Sequence, residues 1–324
     1  DVGRPDLLVS IGHSADDLGR MLYHSLHEQL LTLPDATRVY PAHGAGSACG
    51  KHLSTETEST IGAERATNYA LQPMTEEQFV KVVTEGQPAA PPYFLFAATR
   101  NRQQRDLLHE QGITPMTLDE VLAAQRDGAV VVDTRDQTMF AAGHLQGSID
   151  VGLDGRFAEY TGDVLEPDAP IVLVGEPNTE SEARTRLARI GFDNVIGALD
   201  DYVAAFMDHP EVVTRASRLT VEELAEARAS VSGLQVVDVR NIGELEESGT
   251  IPGAVNIPLP QLVRRLGELD PARPTVVFCA GGYRSSIAAS TLRANGFTDV
   301  SDLLGGIGGW GGSGHELADA GTAG

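Results

Sequence analysis

Apolar positions in the last third of the chain fall in short continuous runs closed by glycine. Val276-Val-Phe278 is one such run. A glycine-containing turn, 280–283, follows it, and from Arg284 the spacing of Ile287, Ala288, Ala289 and Leu292 becomes helical. A short apolar run bounded by a turn predicts a strand buried on both faces of a parallel sheet. Cys279 then stands at the carboxyl end of that strand, at the mouth of the loop that feeds a helix. In open α/β sheets this edge is where ligands bind. Upstream, Thr220 with Glu223 three residues later predicts a helix start with a capping box. Asp238 and Arg240 close a strand near the same edge and read as a structural ion pair, with Glu244 holding Arg240. Trp310 reads as core, and the tail after His315 as frayed.

The pattern occurs twice. Residues 171–195 align with 276–300 at an offset of 105 without a gap, sharing Ser181/Ser286, Ala183/Ala288, Leu187/Leu292 and Gly191/Gly296. Val131-Val-Asp-Thr-Arg135 matches 236–240 at the same offset. The repeat is a whole domain rather than a solenoid unit. In this alignment Val174 replaces Cys279, Thr179 replaces Arg284, and Glu176-Pro177 replaces Gly281-Gly282. The first copy thus lacks a nucleophile, loses a loop N–H to proline and gains a carboxylate, and its expected role is structural.

The first third has a different pattern. Leu22, Leu26 and Leu30 predict one face of a helix over 21–33, ended by Pro34, and 37–40 reads as a short strand entering the glycine-rich loop of His43 and Cys49. His13, His24 and His27 show no metal-ligand spacing. Residues 86–112 read as a linker around Gln87-Pro-Ala-Ala-Pro-Pro92, with Pro91-Pro-Tyr-Phe94 packing back on the first domain and 100–105 solvated.

Composition narrows the function classes. The 324 residues carry a net charge of -22, which argues against nucleic acid and anionic membrane as partners. No run approaches the length of a membrane-spanning helix. The two cysteines are far apart and read as no disulfide framework, which fits a reducing cytoplasm. The chain opens without Met or a signal peptide and reads as a fragment or truncated product.

The chemistry centres on Cys279. Loop amides, a helix N-terminus and a neighbouring Arg all favour a thiolate. Arg284 is positioned to hold the negative end of a substrate, and Ala280, Gly281, Gly282, Tyr283 and Ser285 form the cradle. The loop Cys279-Ala-Gly-Gly-Tyr-Arg284 resembles the active-site loop of the rhodanese family of sulfurtransferases. Gly249-Thr-Ile-Pro-Gly-Ala254, with Thr250 in place of the usual His, and Leu304-Gly-Gly-Ile-Gly-Gly-Trp310 agree with it. The resemblance implies a cysteine persulfide that passes its sulfur to a second acceptor. Two alternatives stay open: a non-catalytic persulfide carrier, and a phosphatase or arsenate reductase, although the phosphatase loop is Cys-x5-Arg and this one is a residue shorter.

Residues 1–7, 22–28, 33–35, 39–50 and 67–73 together resemble the persulfide dioxygenases of the metallo-β-lactamase superfold. That resemblance implies a cleft lined by His43 and Cys49 and supported by Arg4 and Asp6. It implies a non-haem iron in the complete domain, with the family's metal ligands upstream of Asp1 and none in this chain. The expected fold is α/β. Residues 1–92 form the C-terminal part of a lactamase-type αββα sandwich, 93–112 a linker, 113–212 an inactive rhodanese-like domain and 213–324 a rhodanese domain. The expected partners are small sulfur compounds (thiosulfate, glutathione or another thiol persulfide, sulfite), with no cofactor in the rhodanese domain. A homo-oligomer is compatible with this reading.

Overall fold

The computed structural model describes residues 2–7, 12–44, 50, 53–104 and 112–320. Contacts divide the chain into two units, Asp1–Ala90 and Pro91–Gly324.

In the first unit a helix, Ala15–His24, is capped by the Ser14 hydroxyl accepting from the Asp17 amide. It then widens into a π turn, Ser25–Gln29, and a 3-10 turn, Leu30–Thr32. The single helix expected over 21–33 is therefore broken. A π turn adds a residue per turn and rotates the residues after it off the apolar stripe. Leu26 stays buried with Phe79 and Val83, whereas Leu30 is 48% exposed. The short strand is present as Arg38–Val39, paired antiparallel with Ser59–Thr60. Glu76–Thr84 starts at a Thr75/Gln78 capping box and buries Phe79, Val80 and Val83.

The second unit is α/β and contains two parallel sheets of the same topology. The first has strands β1 (Pro115–Met116), β2 (Val130–Asp133), β3 (Ile149–Asp150), β4 (Ile171–Val174) and β5 (Val195–Leu199), in the order β1-β5-β4-β2-β3. The second has β6 (Ser217–Leu219), β7 (Gln235–Asp238), β8 (Val255–Asn256), β9 (Thr275–Phe278) and β10 (Val300–Leu303), in the order β6-β10-β9-β7-β8. The central strands β4 and β9 are wholly buried, as their unbroken apolar runs require. From β9 the chain moves outward to β10, and from β7 it moves the other way to β8. The crevice at the carboxyl ends of β7 and β9 is thus the switch point of the sheet.

The stretch read as a linker is partly folded. Tyr93–Arg100 is a helix that belongs to the second unit. The prolines at 91 and 92 precede it, where a missing N–H costs nothing. Tyr93 joins the core, and its ring lies so close to Gly162 that an added Cβ there would stand 2.3 Å away. Arg100, expected to be solvated, pairs with Asp193 at 3.1 Å.

The two sheets share one core. Val132, Ile149, Phe157 and Leu187 of the first lie in the same apolar cluster as Val237, Val277, Cys279, Ile287 and Leu292 of the second. The seam joins α1 (Phe157–Val164) and β3 of the first copy to α4 (Tyr283–Ala294) and the turn at Leu259–Gln261 of the second, with α2 (Glu180–Arg189) packed on α1. Two others, α3 (Ile242–Ser248) and α5 (Gly306–Gly312), border the second sheet. Every residue from Ser285 to Leu292 of α4 is buried. Polar side chains on α4 meet the edge strand β3. Ser290 Oγ accepts from the Asp150 amide at 3.0 Å, and Ser286 donates to the Asp150 carboxylate.

Burial pushes the Asp150 carboxyl up to about 8, and the like charges of Asp133 and Asp302 push the same way, against the Ser286 hydrogen bond. A carboxyl raised on folding stabilises the fold fully below its unfolded pKa, and that stability is lost as pH rises through the folded value. Each pKa unit is worth about 1.4 kcal/mol, and each kcal/mol about 2–4 °C in a protein of this size. The melting temperature is therefore expected to fall by several degrees between pH 5 and pH 8.5. In Asp150→Asn that fall is expected to shrink, as thermal unfolding followed across the pH range would show.

Candidate active site

Cys279 directly follows β9 and is 2% exposed. Its Sγ accepts from the Gly282 amide at 3.1 Å and lies 3.6 Å from Ser285 Oγ, to which the thiol donates; Ser285 Oγ donates in turn to Gly282 O at 3.0 Å. The turn depends on Gly282, whose φ of 120° lies where side-chain-bearing residues are strained. Gly282 is also the N-cap of α4, so the thiol sits at the positive end of a twelve-residue helix. Ala280 and Gly281 are exposed at the tip of the loop, while Gly282 is buried. Of the cradle amides, it is that of Gly282 that reaches the sulfur.

The loop is backed by the start of α5. Ile307 N donates to Cys279 O at 2.8 Å and Gly308 N to Ala280 O at 3.3 Å. Gly306 comes so close that an added Cβ would meet Cys279 O at 2.3 Å and Ala280 O at 2.7 Å. Trp310, 2% exposed, closes the adjoining core and donates through Nε1 to Glu316 O at 2.9 Å.

Arg284 is not free. Its Nη1 and Nη2 each donate to Glu244 of α3 at 2.7 Å in a two-pronged pair. Burial alone draws the Arg284 guanidinium down, but Glu244, and beyond it Cys279 and Tyr160, hold it above its ordinary value. Burial likewise pushes Glu244 up, yet the Arg284 hydrogen bonds and charge prevail and keep its carboxyl below the usual range. Glu244 was expected to hold Arg240, and the structure corrects this. Arg240 is taken by Asp238, Nε to Oδ1 at 3.0 Å and Nη2 to Oδ2 at 2.6 Å, and also donates to Gly249 O at 2.6 Å. Thr250 donates to the same Asp238 carboxylate at 2.8 Å. Glu244 instead stands one helical turn into α3, where its carboxylate also accepts from the Asn241 amide at 3.1 Å. The Asn241-x-x-Glu244 capping pattern places it in the first turn of α3.

Sequence reasoning missed what the first copy contributes. Tyr283 reaches across the seam and donates to Gly152 O at 2.5 Å, with Asp154 O 3.1 Å away. Its ring lies edge-on to Tyr160 of α1 at 5.3 Å. Burial raises the Tyr160 hydroxyl pKa, while Arg284 and Arg156 pull it down.

The repeat is shifted by one residue from the gap-free alignment. Val174 pairs with Asp133 as Phe278 pairs with Asp238, and Pro170 O accepts from Val130 as Pro274 O accepts from Gln235. Gly175, not Val174, therefore stands where Cys279 stands. The buried helical pairs Ala183/Ala288 and Leu187/Leu292 keep the old offset, so the first-copy loop is one residue shorter. Thr134 fills the space: an added Cβ on Gly175 would meet its Oγ1 at 2.2 Å. Glu176 is engaged by the Tyr202 hydroxyl at 2.8 Å.

In the first unit, Arg4 and His43 line one cavity of about 670 Å³ together with Leu26, Leu30 and Val39. Arg4 is buried, pairs with Asp6 and donates to Pro88 O at 2.7 Å. Cys49 lies outside the described residues. Among the described residues no group of three or more His, Cys, Asp or Glu side chains is placed to hold a metal ion. The described residues do not fit an iron site.

The description "Rhodanese-like domain" matches residues 117–208 and 220–313, more than half of the chain. The chain belongs to the rhodanese-like family. The chain is similar to curated proteins over spans of about one such domain. One is an uncharacterized protein, YqhL, of Bacillus subtilis, 45% identical over 94 residues, 29% of this chain and 71% of that protein. Another is the thiosulfate sulfurtransferase GlpE of Shewanella oneidensis, 38% identical over 92 residues, 28% of this chain and 89% of that protein. A crystal structure of a metallo-β-lactamase from Staphylococcus aureus subsp. aureus COL is similar over 60% of this chain at 30% identity with a TM-score of 0.52. This chain spans 53% of that one.

Gly306→Ala is expected to lower stability by about 2–4 kcal/mol through overpacking and strain at positive φ. Gly312→Ala, with nothing within 4 Å of the added Cβ, is the control, and urea unfolding of the two measures the difference. Gly175→Cys in a Cys279→Ser background is expected to gain no sulfane sulfur on incubation with a donor, read by intact mass.

Proposed function

We propose that this chain is a rhodanese-type sulfurtransferase in which Cys279 carries the sulfur. The observation that carries the reading is the Gly282 amide donating to Cys279 Sγ at the N-terminus of α4, at the switch point of the second sheet. In the first half-reaction the Cys279 thiolate attacks the outer sulfur of the donor. The Cys–S bond forms as the donor's S–S bond breaks, and sulfite (from thiosulfate) or a thiolate (from a thiol persulfide) leaves with the electron pair. In the second, a thiophilic acceptor such as sulfite attacks the outer sulfur of the Cys279 persulfide. The new S–S bond of thiosulfate forms, and Cys279 leaves as thiolate.

The Gly282 amide holds the sulfur, and Arg284 holds the loop in shape through Glu244. The first rhodanese-like domain has Gly175 at the nucleophile's position, and its part in this reading is to wall the site through Tyr160 and to seat Tyr283. The likeness of the chain to a metallo-β-lactamase structure, taken with the resemblance of residues 1–92 to persulfide dioxygenases, supports placing this transfer within a protein that oxidises sulfide or persulfide.

A carrier without turnover is the second reading, favoured by the near-complete burial of Cys279. A phosphatase is disfavoured because the Arg of its loop must face the phosphate, whereas Arg284 is spent on Glu244.

The test is intact mass after incubation with thiosulfate or glutathione persulfide. A gain of one sulfur is expected that requires Cys279, is absent in Cys279→Ser and is removed by sulfite with thiosulfate formed. A gain that no acceptor removes would leave the carrier reading, and a gain that persists in Cys279→Ser would end both.

A further inference from the structure

A dianionic donor needs a cation to meet it, and the charges around the Cys279 loop are already matched. Arg284 is held by Glu244, Arg240 by Asp238, Arg218 by Asp302 and Arg156 by Glu159. All four stand near the loop or the residues packed on it. Arg218 lies against Gly282, Arg156 against Tyr160, and Arg240 at the carboxyl end of β7. The amide of Gly282 is already occupied by the sulfur. The whole chain carries a net charge of -22, so the surrounding field adds no attraction for an anion.

Within this set Glu244 is the pivotal group. It is the carboxylate on the one cation of the catalytic loop, and the pair sits at the rim, with side-chain exposures of 16% for Arg284 and 34% for Glu244. The pair is half-buried, so its charges are less screened than those of an open surface pair. An approaching thiosulfate carries two negative charges and meets an Arg284 that lies within charge range of Cys279 but is already paired with the Glu244 carboxylate. An uncharged persulfide, R–S–SH, needs no such cation and finds an apolar wall in Tyr160 and Tyr283.

We infer that Glu244 is a specificity-determining residue that turns the Cys279 site away from dianionic sulfur donors and toward uncharged thiol persulfides. This rests on the reading of Cys279 as the sulfur-accepting nucleophile. Donation from thiosulfate and discharge to sulfite are one reaction run in opposite directions, so they share a transition state. The same carboxylate therefore slows both, while exchange with neutral thiols and their persulfides is spared.

The test compares two donors on Glu244→Gln and on the native protein: thiosulfate, and the persulfide of 2-mercaptoethanol, which carries no charge in its protonated form. Glutamine keeps the size of the side chain and an oxygen for the Asn241 amide. In Glu244→Gln, kcat/KM with thiosulfate is expected to rise roughly tenfold or more, the scale of one unit charge near a partly desolvated site. The value with the neutral persulfide is expected to stay within about threefold, and discharge by sulfite to quicken in step with thiosulfate. A merely structural role for Glu244 moves both donors by the same factor, and that result overturns the inference, as does a fall for thiosulfate relative to the persulfide. If Glu244→Gln does not fold, as judged by its melting curve, Glu244→Ala is read by the same donor ratio. Turnover of both donors that persists in Cys279→Ser would instead remove the underlying reading.

Discussion

The helix α4 has no free side. From Ser285 to Leu292 each residue is buried, because one face lies on its own sheet and the other on the edge strand and α1 of the preceding copy. A helix so enclosed needs small side chains, and it has them in Ser285, Ser286, Ala288, Ala289 and Ser290. It also needs partners for its hydroxyls, which Asp150 supplies across the seam. The Cys279 turn is the N-terminal lead-in to this helix. The position of the sulfur is therefore set by both copies, although Cys279 belongs to one of them. The copy whose loop has Gly175 at this position thus takes a physical part in placing Cys279.

Much of this was legible in the order of residues. The buried runs named the central strands, the glycine turn named the loop, and the repeated runs named two copies of one α/β domain. Thr220 and Glu223 formed the capping box their spacing implied, and Asp238 paired with Arg240. What was not legible depended on distance in sequence. Glu244 and Arg284 are forty residues apart and meet because α3 and α4 start at the same edge of the sheet. Nothing local distinguishes Glu244 as a partner for Arg284 from Glu244 as a partner for Arg240.

The one-residue slip in the repeat has a similar origin. Both Val174 and Phe278 are apolar, so a gap-free alignment scores well on the helix while misplacing the strand. Hydrogen-bonded registers decide the matter, because a strand shifted by one residue turns every side chain to the other face. The break of the first helix after His24 was invisible for another reason. The leucine spacing continues through the π turn, and the turn changes their direction rather than their order.

The vacant position at Gly175 works as a ratchet. Restoring a nucleophile there takes a new side chain, removal of the Thr134 side chain that fills its place and an inserted residue to reopen the turn. At this point the first copy is packed for a bare backbone: Thr134 occupies the volume a side chain at 175 would need, and the loop is one residue too short to move it aside.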